Sequence, residues 1–181
     1  MRTILLFLAT IQIAAASPSD YRDKFPADEM DMKPKHSELT DSRATVFYGG
    51  PVGRATVTII PSSDQSSSAE GITPAAQKAV AELMANNFKE GTKALGEGYT
   101  TEPMSVTQLK ADGIELICGS VVRAQKPGGK DLKLMDRDCV TQHKSDLLRV
   151  YVTTPYKPGN ETKVRNDQLG FIALTVKHLS Q

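Results

Sequence analysis

A chain of 181 residues has room for one domain with a real core and little room for two. Its 22 basic and 21 acidic side chains nearly cancel, which excludes a general attraction to nucleic acid or to an anionic lipid surface. The absence of Trp and the low aromatic content argue against a platform on which bases or sugars would stack.

Residues 1–16 carry the pattern of an export signal. Arg2 supplies the positive start, Ile4 to Ile13 an apolar run, and Ala14-Ala15-Ala16 the small residues of an A-x-A cleavage site before Ser17. The run is shorter than the roughly 20 residues that span a bilayer, so no stable membrane anchor is expected after cleavage. Losing Arg2 leaves 21 charges of each sign and a formal charge of zero. The expected location is extracytoplasmic, secreted or periplasmic.

Residues 17–43 contain Pro18, Pro26 and Pro34 and show no sustained period. They read as a flexible polar leader whose removal, from 17 to 40, should leave the fold intact. A single domain is expected over 44–181. It opens with Thr45-Val46-Phe47-Tyr48 and Ala55 to Ile60, both β-branched or aromatic, separated by the turn residues Gly49 to Gly53. Pro61 closes that hairpin, and a polar loop over Ser62 to Ser68 follows. A long helix then begins, with Thr73 as its cap and Pro74 at its first position. Val80, Met84, Phe88 and Leu95, with Leu83 beside them, mark its apolar face, and Gly96 and Gly98 stop it.

Four strands are predicted next. They run over Thr100 to Leu109 (with Pro103 marking an edge or a bulge), Ile114 to Arg123, Leu132 to Thr141, and Leu147 to Thr154. Pro155 and Pro158-Gly159 end the sheet. A last helix starts near Asn160 with Leu169, Ile172, Val176 and Leu179 on one side, although Gly170 lies within it. The fold class is α+β, an antiparallel sheet of about six strands with a long central and a C-terminal helix, in the order ββαββββα.

Cys118 and Cys139 give the sharpest signal. If the hairpin through Pro127-Gly128-Gly129-Lys130 is symmetric about its Gly-Gly pair, opposed residues have numbers that sum to 257, and the two cysteines face one another. Directly opposed Cα atoms in an antiparallel ladder lie about 4.5–5.5 Å apart, within disulfide range. An oxidising compartment would close the bridge. Pro127 lacks an N–H, and a bulge there would shift the register by one.

Catalytic signatures such as G-x-S-x-G, H-E-x-x-H and the P-loop are absent, so no catalytic residue and no cofactor is assigned. Two alternatives remain. Asp136, Asp138 and His143 could serve a small hydrolase or transferase, because a carboxylate can orient an imidazole for base work. Met30, Met32 and His36 are ligand types suited to copper(I) and would make a metal-handling protein. His178, in the last helical turn, suits the helix dipole. Asn160-Glu161-Thr162 is a glycosylation sequon, relevant in a eukaryotic host.

The order of hairpin, long helix, meander and terminal helix over residues 44–181 resembles the α/β/α sandwich of the PsbP-like fold. That resemblance rests on architecture and carries over no functional residue. It implies a small exported module that binds a protein partner or a small ligand without catalysis.

Overall fold

A computed structural model describes residues 24–61, 72–125, 131–143 and 146–181. The expected export signal, the start of the expected leader, and the segments read as a loop over Ser62 to Ser68 and a turn over Pro127-Gly128-Gly129-Lys130 lie outside the described residues.

Alternating burial builds the sheet. In chain order the strands are Lys33–Leu39 (β1), Ala44–Gly50 (β2), Gly53–Ile60 (β3), Tyr99–Thr101 (β4), Ser105–Ala111 (β5), Ile114–Gln125 (β6), Lys133–His143 (β7) and Asp146–Tyr156 (β8). Helix α1, Pro74–Leu95, lies between β3 and β4, and helix α2, Glu161–Leu179, closes the chain. The fold is α+β. All pairings are antiparallel, in the spatial order β1-β2-β3-β8-β7-β6-β4, and β5 also pairs with β6. The eight described strands exceed the expected six for two reasons.

The first lies in the leader. Its residues 33–39 form β1, paired along β2 from Lys33↔Gly49 to Leu39↔Ala44 with a bulge between Pro34 and His36. All seven side chains are exposed, so no buried alternation reveals the strand. Met32, just before it, is fully buried in the main core, and Pro26 O accepts a 2.9 Å hydrogen bond from the Tyr48 hydroxyl. Order therefore starts well before Ala44. The second reason is Pro103, which divides the predicted Thr100 to Leu109 strand into β4 and β5 along the free side of β6. Pro155 corrects another boundary, because it sits inside β8 opposite Leu134 rather than ending the sheet. The pairing of β3 with β8 stops at Arg54↔Thr153, so past that point β8 has β7 as its one described neighbour. The missing N–H of Pro155 then costs no ladder bond.

The two helices cover opposite faces. Leu116 and Cys118 of β6 pack in one cluster with Phe171, Ile172 and Val176 of α2. Ile117 and Val121, pointing the other way, pack with Met84 and Phe88 of α1. This makes an α/β/α layering. The α2 side is the larger core, joining β2, β3, β6, β7 and β8.

The caps follow the sequence at α1 and depart from it at α2. Thr73 Oγ1 accepts a hydrogen bond from Ala76 N at 3.3 Å, and Gly96, at φ 78°, terminates the helix. Asn160 occupies the N-cap position of α2, but its side chain makes no cap hydrogen bond. Two apolar-face assignments also change. Leu83 and Leu95 are exposed on α1, whereas Phe171, absent from the predicted stripe of α2, is fully buried. Gly170 has a packing reason: a Cβ there would stand 3.2 Å from Met30 Sδ.

Candidate functional site

The register of β6 with β7 runs from Ile117↔Val140 to Ala124↔Lys133, every pair summing to 257, and includes Cys118↔Cys139. The two Cα atoms are 4.1 Å apart and the sulfurs are bonded. The bridge lies within the α2-side core, both residues being almost fully buried. It is compatible with an extracytoplasmic location.

The opposite face carries the polar constellation. Asp136 and Asp138 of β7 both point to the α1 side, and each is matched to an arginine. Arg123, expected to alternate outward, is instead buried and paired with Asp136. Arg123 Nε also donates to Thr92 Oγ1 at 3.0 Å, and its Nη2 donates to Phe88 O at 3.1 Å. One guanidinium thus ties the C-terminal half of α1 to the sheet. Arg149 of β8 clamps Asp138, its Nε donating to Oδ1 at 2.9 Å and its Nη2 to Oδ2 at 2.6 Å. This hydrogen bond holds the Arg149 pKa above its ordinary value against the opposing effect of burial.

His143 does not join them. It ends β7 opposite Asp146, five residues beyond Asp138, which separates the backbone positions by about 16 Å. Its side chain lies outside the described residues. Both aspartates are already engaged with guanidinium groups, which leaves neither poised to orient a base.

The methionine and histidine candidates are dispersed as well. Met32 is in the α2-side core, Met30 lies against Gly170, and His36 stacks on Phe47 with ring centroids 5.7 Å apart. Among the described residues no group of three or more His, Cys, Asp or Glu side chains could hold a metal ion. His178 Nδ1 lies 3.6 Å from Glu29 Oε1. The Asn160 side chain is exposed at the start of α2, open to modification.

Sequence reasoning passes over a groove between α1 and the β4–β5 edge. Gly119 lets α1 settle onto β6, since a Cβ there would meet Met84 Sδ and Phe88 Cε2 at 3.1 Å. Farther along, helix and edge diverge around a hollow of about 610 Å³, with Phe88, Met104 and Val121 among its apolar lining and Ala85 on the helix side. Within it the Thr92 and Thr101 hydroxyls lie 3.0 Å apart, and Thr92 Oγ1 donates to Phe88 O. Lys89, Lys93, Glu97 and Glu102 also line the hollow, so the signs balance, and Lys93 is paired with Glu90 at 2.6 Å. In the sequence Phe88 and Val121 read as ordinary core, because helical spacing cannot reveal that the facing edge stands off.

No protein-family model matches the chain, and no curated protein matches it. Its function must therefore be read from its own geometry.

Proposed function

We infer that this is an exported, non-catalytic binding module whose ligand is a small, uncharged and largely apolar molecule held between α1 and the β4–β5 edge. One observation carries this reading: the open hollow of about 610 Å³ with an apolar lining. Small-molecule sites typically enclose about 300–1,000 Å³ and are lined mainly by apolar groups. The hydroxyls inside are committed to one another and to Arg123, and the rim charges balance, so an ionic ligand would find no unmatched counter-charge. Export is supported by the hydrophobic leader and by the disulfide. The layering of helix, antiparallel sheet and helix supports the PsbP-like resemblance at the level of architecture.

The test is a titration with N-phenyl-1-naphthylamine, an uncharged apolar probe that fluoresces when shielded from water. Saturable enhancement is expected for the mature chain, and Ala85→Trp, which places an indole in the hollow from an exposed helix position, should reduce the affinity at least tenfold. Equal binding by the two proteins would reject the site.

A further inference from the structure

Among the described residues the α1 side of the sheet is only partly covered. Helix α1 packs on β6 and β4 and reaches β8 where Phe88 meets Tyr151, ring centroids 6.3 Å apart, and it leaves the same face of β2 and β3 without a helix. Two adjoining hollows lie there, of about 540 Å³ and 160 Å³, and they share Thr56 and Tyr151. Neither shares a lining residue with the apolar groove beside β4 and β5, although Phe88 of the groove packs against Tyr151 of the hollows.

Their chemistry is one-sided. Arg149 lines the smaller hollow, Lys35 and Arg54 line the larger, and among the described residues no Asp or Glu lines either. The Thr58, Thr56 and Thr153 hydroxyls and the Tyr151 phenol run between the cations, with the Phe47 ring beside them. Register fixes the order along the strands. Thr58 is opposite Arg149, Thr56 opposite Tyr151, and Arg54 opposite Thr153. The Arg149 and Arg54 ends are thus four residues apart along the β3–β8 pair, about 13 Å.

Arg149 is held in place from below. Asp138, itself fully buried, takes Nε and Nη2, which leaves Nη1 with no hydrogen-bond partner among the described residues. A guanidinium fixed by a buried carboxylate loses little freedom when it accepts a further oxyanion, and such charge-assisted bonds are the strong ones. The Arg149 side chain keeps 31% of its surface exposed, so an incoming group can reach it. A purely structural ion pair would explain Asp138 and Arg149. It would not explain two further cations and a row of hydroxyls converging on one cleft.

We propose that this cleft binds a small organic oxyanion ester, a phosphate or sulfate monoester, with the charged group on Arg149 and the Thr56 and Thr58 hydroxyls and the organic body along Tyr151 and Phe47. Arg54 and Lys35 draw the anion in from the open end. The site shares no lining residue with the apolar groove, and either proposal can fail without the other.

Calorimetric titration of the mature chain at low ionic strength tests it, with p-nitrophenyl phosphate, p-nitrophenyl sulfate and inorganic phosphate as probes. One saturable site for an aryl ester is expected, and the stronger of the two esters identifies which oxyanion the cleft prefers. Thr56→Val and Arg54→Glu should each weaken binding at least tenfold with an unchanged melting temperature. Neither variant disturbs the Asp138–Arg149 pair, so folding is not at stake. Lys78→Glu makes the same charge change on exposed helix surface outside both hollows and should leave the affinity as it is. Three results would overturn the proposal: no heat from any probe at millimolar concentration, equal losses for Lys78→Glu and Arg54→Glu, or inorganic phosphate binding as well as the aryl esters.

Discussion

Arg123 on β6 and Asp136 on β7 form an ion pair from which water is almost wholly excluded, with side-chain exposures of 3% and 0%. Among the described residues neither Asp136 oxygen is hydrogen-bonded to another group, which leaves Arg123 as its counter-charge. Removing one member leaves the other buried and unmatched, which costs about 3–5 kcal/mol. Asp136→Asn should lower the urea midpoint by that measure. The double variant Arg123→Met with Asp136→Leu should recover much of the loss, since apolar replacement of a buried pair is often neutral. A single variant as stable as the parent would contradict this account.

The same arginine makes a glycine necessary on α1. A Cβ at Gly91 would stand 2.9 Å from Arg123 Nη2, and that guanidinium is already bound to Phe88 O, Thr92 and Asp136. In an exposed helix, Gly→Ala gains about 1 kcal/mol. Here Gly91→Ala should destabilise instead, with thermal unfolding as the readout.

Reduction of the disulfide should matter more to stability than to shape. The bridge spans a sequence separation of 21 residues, for which loop entropy gives about 3 kcal/mol. Replacing Cys118 and Cys139 together by Ala should lower stability by that order, seen as a shifted urea midpoint with an unchanged far-ultraviolet spectrum. In the native protein neither sulfur should react with iodoacetamide. Two alkylated thiols by mass spectrometry, without prior reduction, would refute the bond.

Truncation to residue 41 should be damaging, contrary to what the polar leader suggests. It removes β1, the fully buried Met32 and the carbonyl that accepts the Tyr48 hydrogen bond. Met32→Ala alone should cost about 2–5 kcal/mol. The comparison of melting temperatures for chains starting at residues 17 and 41 decides the matter.

Alkaline pH should loosen the fold through its buried phenols. Tyr48 is pushed well above the ordinary value of 10.0, chiefly by burial and then by Glu29. Tyr156 is raised as well, burial again leading and Glu161 and Glu102 adding to it. With the folded pKa above the unfolded one, the unfolded chain releases its phenolic protons first. The stabilisation is therefore complete below pH 10 and declines as the pH climbs beyond it. Chemical denaturation at pH 8, 9.5 and 11 should show the fall confined to the last interval, and Tyr48→Phe should flatten it.

The disulfide register was legible because two glycines and two cysteines fixed one sum, and the β6–β7 pairing keeps that sum. Helix α1 was legible because Thr73, Pro74 and Gly96 each have a local physical role. Strand β1 was not, since an edge strand with every side chain in solvent owes its pairing to backbone hydrogen bonds and shows no period. The two arginine–aspartate pairs were hidden for another reason. Alternation along a strand identifies a face, and it does not say whether a helix will cover that face. Even so, the sum that aligned the cysteines sets Arg123 opposite Leu134, one diagonal step from Asp136, so the pair could have been found.

The central seam of the sheet joins β3 to β8, two strands separated by nearly half the chain. A ribosome delivers one long before the other. Until the last third has emerged, the early hairpin has no neighbour on its inner side, and contacts this distant in sequence form slowly. The topology itself therefore makes closure of this seam a late step, with the early hairpin waiting on the end of the chain.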